Sequence, residues 1–215
     1  MASPYGHHNH HPGREEEPPR ETGNVHHTSH SGGAGGGYHH PTTTVHHVSH
    51  ESQTASHHHG SSNKPTYKVY CRAETNHCLS IRNGEVILAR ANPSDQHQHW
   101  YKEEEFSTRV KDAEGLPSFA LVNKATGQAI KHATGNTKPV RLTEYKANHL
   151  DESILWTESK DTGENYKAIR MANNISLNFD AFHGDKDHGG VHDGTTVVNW
   201  EWTKGDNQRW KIVPY

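Results

Sequence analysis

Residues 199–210 read NWEWTKGDNQRW, with tryptophans at 200, 202 and 210 around the small polar run Gly205 to Gln208. A tryptophan is either core or contact surface, and sorting these three decides the fold. Trp210 closes the segment GDNQRW much as Trp100 closes SDQHQHW and Trp156 closes LDESILW, at spacings of 56 and 54 residues. Before each closing tryptophan the same order of segments recurs. A short alternating strand is followed by a turn and a second strand (CLSI, QAIK, SLNF). After another turn comes a third strand (EVILA, PVRLT, TVVNW), then an acidic residue and the tryptophan.

Three copies of about 50 residues, each built of short strands and polar turns, predict an all-β, threefold architecture, a β-trefoil. No segment with helical periodicity competes with the strands. Each copy alone buries one apolar face, so the three must close a shared core. A tryptophan repeated in every copy is then a packing position, and Trp100, Trp156 and Trp210 are expected inside.

Outward from the repeats, the composition changes abruptly. Residues 1–64 are rich in His, Gly, Ser, Pro and Thr and hold fifteen of the 23 histidines, whereas all five tryptophans lie beyond them. Such a segment cannot bury enough apolar surface to offset its ordering entropy, so a disordered tail over 1–64 is expected before a domain at 65–215. Its histidine clusters imply loose chelation of Zn, Ni or Cu, and below about pH 6.5 a strongly cationic tail.

The formal net charge is -3 with no basic stripe, which argues against nucleic-acid binding. No apolar run is long enough to span a membrane, and the N-terminus lacks the apolar core of a secretory signal. Cys71 and Cys78 are expected as two buried free thiols, in a reducing compartment, in preference to a hairpin bridge. No Ser-His-Asp or Cys-His arrangement recurs, and Asp185 and Asp187 are too local and exposed for glycoside hydrolysis, so no enzyme and no cofactor are expected.

Gln98-His99-Trp100 and Gln208-Arg209-Trp210 are Q-x-W tripeptides, while the second copy has Ile154-Leu155-Trp156. With them the chain resembles the ricin-B-type β-trefoil lectins, and more closely the Euonymus-type lectins of plants. The stretches NPSDQHQHWYK (92–102), FSTRVKD (106–112), PSFALVNKATGQAIKH (117–132), LDESILWTESKD (150–161), LNFDAFHGDKDHGGVHDGTTVV (177–198) and KGDNQRWKIVPY (204–215) carry the likeness. It runs from Tyr67 to Tyr215. The resemblance implies a non-catalytic glycan-binding protein of the nucleus and cytoplasm, linked to stress responses, with galactose- or mannose-containing glycans as partners. A trefoil that binds a signalling protein, with a metal-chelating tail, is the alternative.

The resemblance also implies a site pattern: an acid or amide on the middle strand, an aromatic on the next, and an Asn in the closing turn. A sugar needs such parts, because its C–H face rests on a ring while its hydroxyls exchange hydrogen bonds with carboxylates and amides. The first copy offers Ser80 and Ala89, and the second Lys131 and Thr143 with Tyr145 nearby. The third offers Asp180, Trp200 and Asn207. Strand alternation sets Leu177 and Phe179 toward the core and Asn178 with Asp180 on the outside. The family's usual acid aligns with Asn178, so either residue is a candidate.

Taken singly, Asp180 as a turn cap, Trp200 as packing and Asn207 as a turn residue are the ordinary explanations; their co-occurrence in one copy favours a site. Trp202 is the alternative platform to Trp200. Gln208 is expected to support the fold. The loop His183 to Asp193, with three histidines and three aspartates, is expected beside the site, with His192 and Asp193 as further contacts. Its spacing matches no metal cage. One site implies monovalent binding, weak for simple sugars and stronger for extended glycans, without strong agglutination.

Overall fold

The computed structural model describes residues 63–215. The expected tail, with its chelating histidines, therefore lies outside the described residues apart from its last two positions. Twelve strands and four short 3-10 turns make up the described chain, with no α-helix. The strands are β1 (Tyr67–Cys71), β2 (His77–Arg82), β3 (Glu85–Arg90), β4 (Trp100–Glu103), β5 (Ser118–Asn123) and β6 (Gln128–Lys131). There follow β7 (Arg141–Glu144), β8 (Trp156–Glu158), β9 (Ile169–Met171), β10 (Asn174–Ala181), β11 (Thr195–Glu201) and β12 (Trp210–Pro214). Each repeat contributes four.

The first and fourth strands of the repeats form a ring. β12 pairs β1, β1 pairs β4, β4 pairs β5, β5 pairs β8 and β8 pairs β9. A bridge between Lys167 and Trp210 closes the ring from β9 back to β12. Closure leaves this barrel without an unpaired edge. The second and third strands of each repeat form hairpins, β2–β3, β6–β7 and β10–β11. The hairpins meet at β11, which bridges β3 through Thr195 and Leu88 and receives Val140 N–H on the Val197 carbonyl at 3.1 Å. Six barrel strands and three hairpins make the β-trefoil.

The repeated tryptophans hold the two layers together. Trp100, Trp156 and Trp210 are at most 1% exposed. Their indole N–H groups donate to the carbonyls of Leu79, Ile130 and Phe179 at 2.8, 3.0 and 3.0 Å. Those acceptors are fully buried and occupy equivalent places, one on the first strand of each hairpin. Each closing tryptophan thus fills the barrel and satisfies its only polar group on the hairpin of its own repeat. Phe179 sits edge-on to both Trp156 and Trp210, with ring centroids 4.5 and 5.8 Å away.

Every closing tryptophan follows a 3-10 turn, at Gln96–Gln98, Glu152–Ile154 and Asp206–Gln208. In the two Q-x-W repeats the buried glutamine ties this turn to the end of the hairpin. Gln98 donates to the Arg90 carbonyl and accepts from Asn92 N–H, and Gln208 does the same with Glu201 and Thr203. Ile154 cannot, and packs instead into a satellite apolar cluster with Phe106, Val122 and Leu155. Cys71 and Cys78 are free and buried. No helix among the described residues is long and apolar enough to cross a membrane.

Candidate functional site

The hairpin registers define which positions correspond. Asn178 lies opposite Trp200 on β10–β11, Cys78 opposite Ala89 on β2–β3, and Ala129 opposite Thr143 on β6–β7. Two residues on from the first member of each pair stand Asp180, Ser80 and Lys131. An acid and a tryptophan therefore share one hairpin face in the third repeat, and in neither of the others.

β10 and β11 set Asp180 and Trp200 on that face by strand alternation. The 3-10 turn Asp206–Gln208 then folds over β10 and brings Asn207 to Asp180. Asp180 is 5% exposed. Its carboxylate accepts from Asn207 Nδ2 at 3.2 Å and from Gln208 Nε2 at 2.9 Å. Asn207 also donates to the Ala181 carbonyl at 3.1 Å. Around these groups opens a pocket of about 380 Å³, in the size range of small-molecule sites. Trp200 lines it half-buried, together with His183, Asp185, His188 and Thr203.

Burial pushes the Asp180 carboxyl up to about 6, against the two amide hydrogen bonds that favour its charged form; the nearby Asp185 charge adds to the rise. Asp185 is shifted the other way. His188 Nδ1 lies 2.6 Å from its Oδ1 and holds its carboxyl below the ordinary value, and the same oxygen also accepts the backbone N–H groups of Asp187 and His188. One acid of the pocket is thus buried and hard to ionise, and the other is exposed and fixed in its charged form.

An aromatic wall continues from Trp200. Phe182 lies 6.1 Å from it, His183 stacks on Phe182 at 3.9 Å, and His188 stands 5.3 Å beyond. The wall depends on a close approach at Gly184, where a Cβ would meet the Ala181 carbonyl at 2.8 Å and Asn207 Cβ at 3.0 Å. Only a glycine lets the loop lie this tightly against the closing turn.

The structure brings Asp180, Trp200 and Asn207 together and leaves the other three expected residues outside the pocket. Asn178 shares the hairpin face with Asp180, but the polar pair is not on the outside: Asn178 is 1% exposed. Its amide turns back to donate to the Ser176 and Trp200 carbonyls, and its side chain lines a different cleft. Asp193 forms a two-pronged ion pair with Arg82 at 3.0 and 3.1 Å and accepts Arg90 N–H, so it clamps the loop to the first repeat. His192 bonds Thr195 and faces a neighbouring depression shared with His183 and His188. Sequence reasoning missed His183, Asp185 and His188 as lining residues of this pocket, and Phe182 as the ring that extends Trp200. The available signal was the FHGD stretch directly after the middle strand, which puts a ring at the end of the acid's own strand.

Among the described residues, no group of three or more His, Cys, Asp or Glu side chains is arranged to hold a metal ion. The pocket offers carboxylate acceptors, imidazoles and an indole N–H that has no acceptor among the described residues. That set can grip a hydroxylated ring by one apolar face and by its edge.

No protein-family model matches the chain. Named relatives do. The chain is 61% identical over 154 residues to Ricin B-like lectin R40C1 of Oryza sativa subsp. japonica, covering 72% of this chain and 44% of that protein. It is 63% identical over 152 residues to Ricin B-like lectin R40G3 of the same plant, covering 71% of this chain and 74% of that protein. To Ricin B-like lectin EULS3 of Arabidopsis thaliana it is 62% identical over 156 residues, covering 73% and 49%. The chain thus spans less than half the length of R40C1 and EULS3. Among solved structures, the designed 3-fold symmetric protein ThreeFoil superposes with a TM-score of 0.52 at 20% identity, covering 69% of this chain and 97% of that one. The Macrolepiota procera ricin B-like lectin, solved in complex with lactose, gives 0.52 at 17% identity over 70% of this chain and 95% of that one. At such identities the structures speak for the fold.

Proposed function

The chain belongs to the ricin B-like lectins, and from that premise we propose that it binds carbohydrate without catalysis, through the third-repeat pocket. The observation that carries this reading is the convergence of Trp200, Asp180 and Asn207 on one pocket, in the only repeat whose hairpin carries an acid and a tryptophan on the same face. The indole face takes the C–H side of a pyranose. Asp180 and Asp185 accept from its hydroxyls, and His183 or His188 reaches its edge. Asn207 and Gln208 hold the Asp180 carboxylate in place.

Galactose- or mannose-containing glycans are the ligand class we assign. Action in the nucleus and cytoplasm during plant stress signalling belongs to the same reading. Imaging a fluorescent fusion of the full chain tests the location, and exclusion from both compartments would overturn that part.

A glycan array of the full chain beside Trp200→Ala tests the site, with thermal melts to confirm that the variant is folded. Binding is expected for the wild type and at least a tenfold loss for the variant. Binding that survives the substitution moves the site elsewhere. An array with no bound glycan favours the protein-partner alternative.

A further inference from the structure

Trp202 lies two residues beyond Trp200, just past the end of β11, and does not share its pocket. It lines a separate cleft of about 390 Å³ between the 159–162 segment, β9 and the start of β10. The ring is 37% exposed. The Arg209 guanidinium stands 5.5 Å from its centroid and is itself held by the Thr162 and Lys204 carbonyls, so the ring is anchored. Unlike the three core tryptophans, Trp202 has no acceptor for its indole N–H among the described residues.

The polar side of the cleft is built from buried groups with unmet bonding capacity. Arg170 is 7% exposed. Its terminal nitrogens donate to Asp112 at 2.7 Å and Glu114 at 3.1 Å, which leaves Nε buried and without a partner. Asn178 is its ladder neighbour and uses its amide nitrogen on backbone carbonyls, while nothing among the described residues donates to its Oδ1. A buried polar group left unpaired costs free energy, and a ligand that pairs it recovers that cost.

The cleft therefore presents an anchored aromatic face, an unmatched donor at Trp202 Nε1 and acceptors at Asn178 and Glu114, with Arg170 Nε closed off beneath its wall. A flat aromatic ligand would leave the polar groups unmet. The wall carries Lys160 as well as Glu114, and Arg170 is already paired with Asp112 and Glu114, so its charges balance and favour no charged ring. A neutral pyranose has one C–H face and hydroxyls that both donate and accept. We propose that the Trp202 cleft is a second sugar site, taking one neutral pyranose ring independently of the Trp200 pocket, so that each chain is bivalent. The choice of a sugar over other polyols rests on reading the chain as a lectin; the existence of the cleft does not.

The test is an NMR titration of the ¹⁵N-labelled full chain with methyl β-D-galactopyranoside and, separately, methyl α-D-mannopyranoside. The indole N–H signals of Trp200 and Trp202 are assigned with Trp200→Phe and Trp202→Phe. The expected result is a saturable shift of the Trp202 signal that persists in Trp200→Ala. Trp202→Ala should silence the accompanying shifts at the Thr162 and Ser176 amides while Trp200 still responds. A Trp200 response with a still Trp202 overturns the second site and leaves the lectin reading intact. A Trp202 response that vanishes in Trp200→Ala also overturns it, in favour of one extended site. If neither signal moves with either sugar, the second site falls, and the glycan array then judges the lectin reading by itself.

Discussion

Asp180 is the residue on which the chemistry of the third-repeat pocket turns. Its carboxyl titrates near 6 in the folded chain against an ordinary value of 3.8. The folded state therefore holds the proton more tightly than the unfolded state does. Asp180's contribution to stability is fully present below about pH 4 and is lost as the pH rises through 6, at a cost of roughly 3 kcal/mol. Asp180→Asn removes that penalty. Urea titrations should show the variant gaining on the wild type between pH 4 and 7.5, and a constant difference would contradict the assignment. Sugar binding should run the other way. The ionised carboxylate is the better acceptor, so from pH 5 to 7 wild-type affinity should rise relative to that of Asp180→Asn, which keeps the same His183 and His188; parallel pH profiles by calorimetry would remove Asp180 from the site. Asp180, Trp200 and Asn207 were legible in the sequence because strand alternation and the Q-x-W turn both fix direction. Asn178 is buried where alternation alone sets it outside, because alternation assigns a face and says nothing of its bonds to the Ser176 and Trp200 carbonyls beside Arg170 of β9. Asp193 was illegible because its partner, Arg82, lies 111 positions away.

At the level of elements, the bond from the Trp210 indole to the Phe179 carbonyl, at 3.0 Å, fastens the β10–β11 hairpin to the barrel alongside the β9–β10 pairing and the Asn207 and Gln208 amides. Trp210→Ala opens a cavity costing about 3–5 kcal/mol and orphans that buried carbonyl for a further ~1–3 kcal/mol. Such a sum consumes most of a typical domain's stability of about 5–15 kcal/mol. Circular dichroism should show the variant unfolded or melting far below the wild type, and a nearly unchanged melt would refute the account. The strands themselves were readable, because QAIK (128–131) and EVILA (85–89) carry β-branched and apolar residues between turn signals. The second repeat carries Ile154 where the other two carry glutamine, yet its fold is kept by the Trp156 bond to Ile130 and by apolar packing. The path of the 183–193 loop could not be read. Gly189 and Gly190 adopt positive φ there, and no periodicity encodes the direction that results.

For the whole molecule, the main core is assembled from residues between Val69 and Trp210. Lys64 pairs with Glu103 at the edge of this unit. Removing residues 1–62 should therefore shift the melting temperature of the rest by no more than about 2 °C, less than the ~2–4 °C that 1 kcal/mol moves a domain of this size. A loss of several degrees in differential scanning calorimetry would show that those residues stabilise the trefoil. Two sugar sites on one rigid unit would also let a single chain bridge two glycans, which one pocket cannot do.

The pairing of β1 with β12 over five residue pairs, Tyr67 against Pro214 through Cys71 against Trp210, sets the two ends of the trefoil side by side. Ends so placed allow circular permutation. A short Gly/Ser bridge from Tyr215 to Asn63, with new ends cut in the exposed 146–149 segment, would keep every barrel pairing and leave the Trp200 pocket and the Trp202 cleft untouched. The permutant should fold and bind as the parent does. A second trefoil could equally be spliced in series at the same seam without threading through the first, so the unit can be strung like a bead.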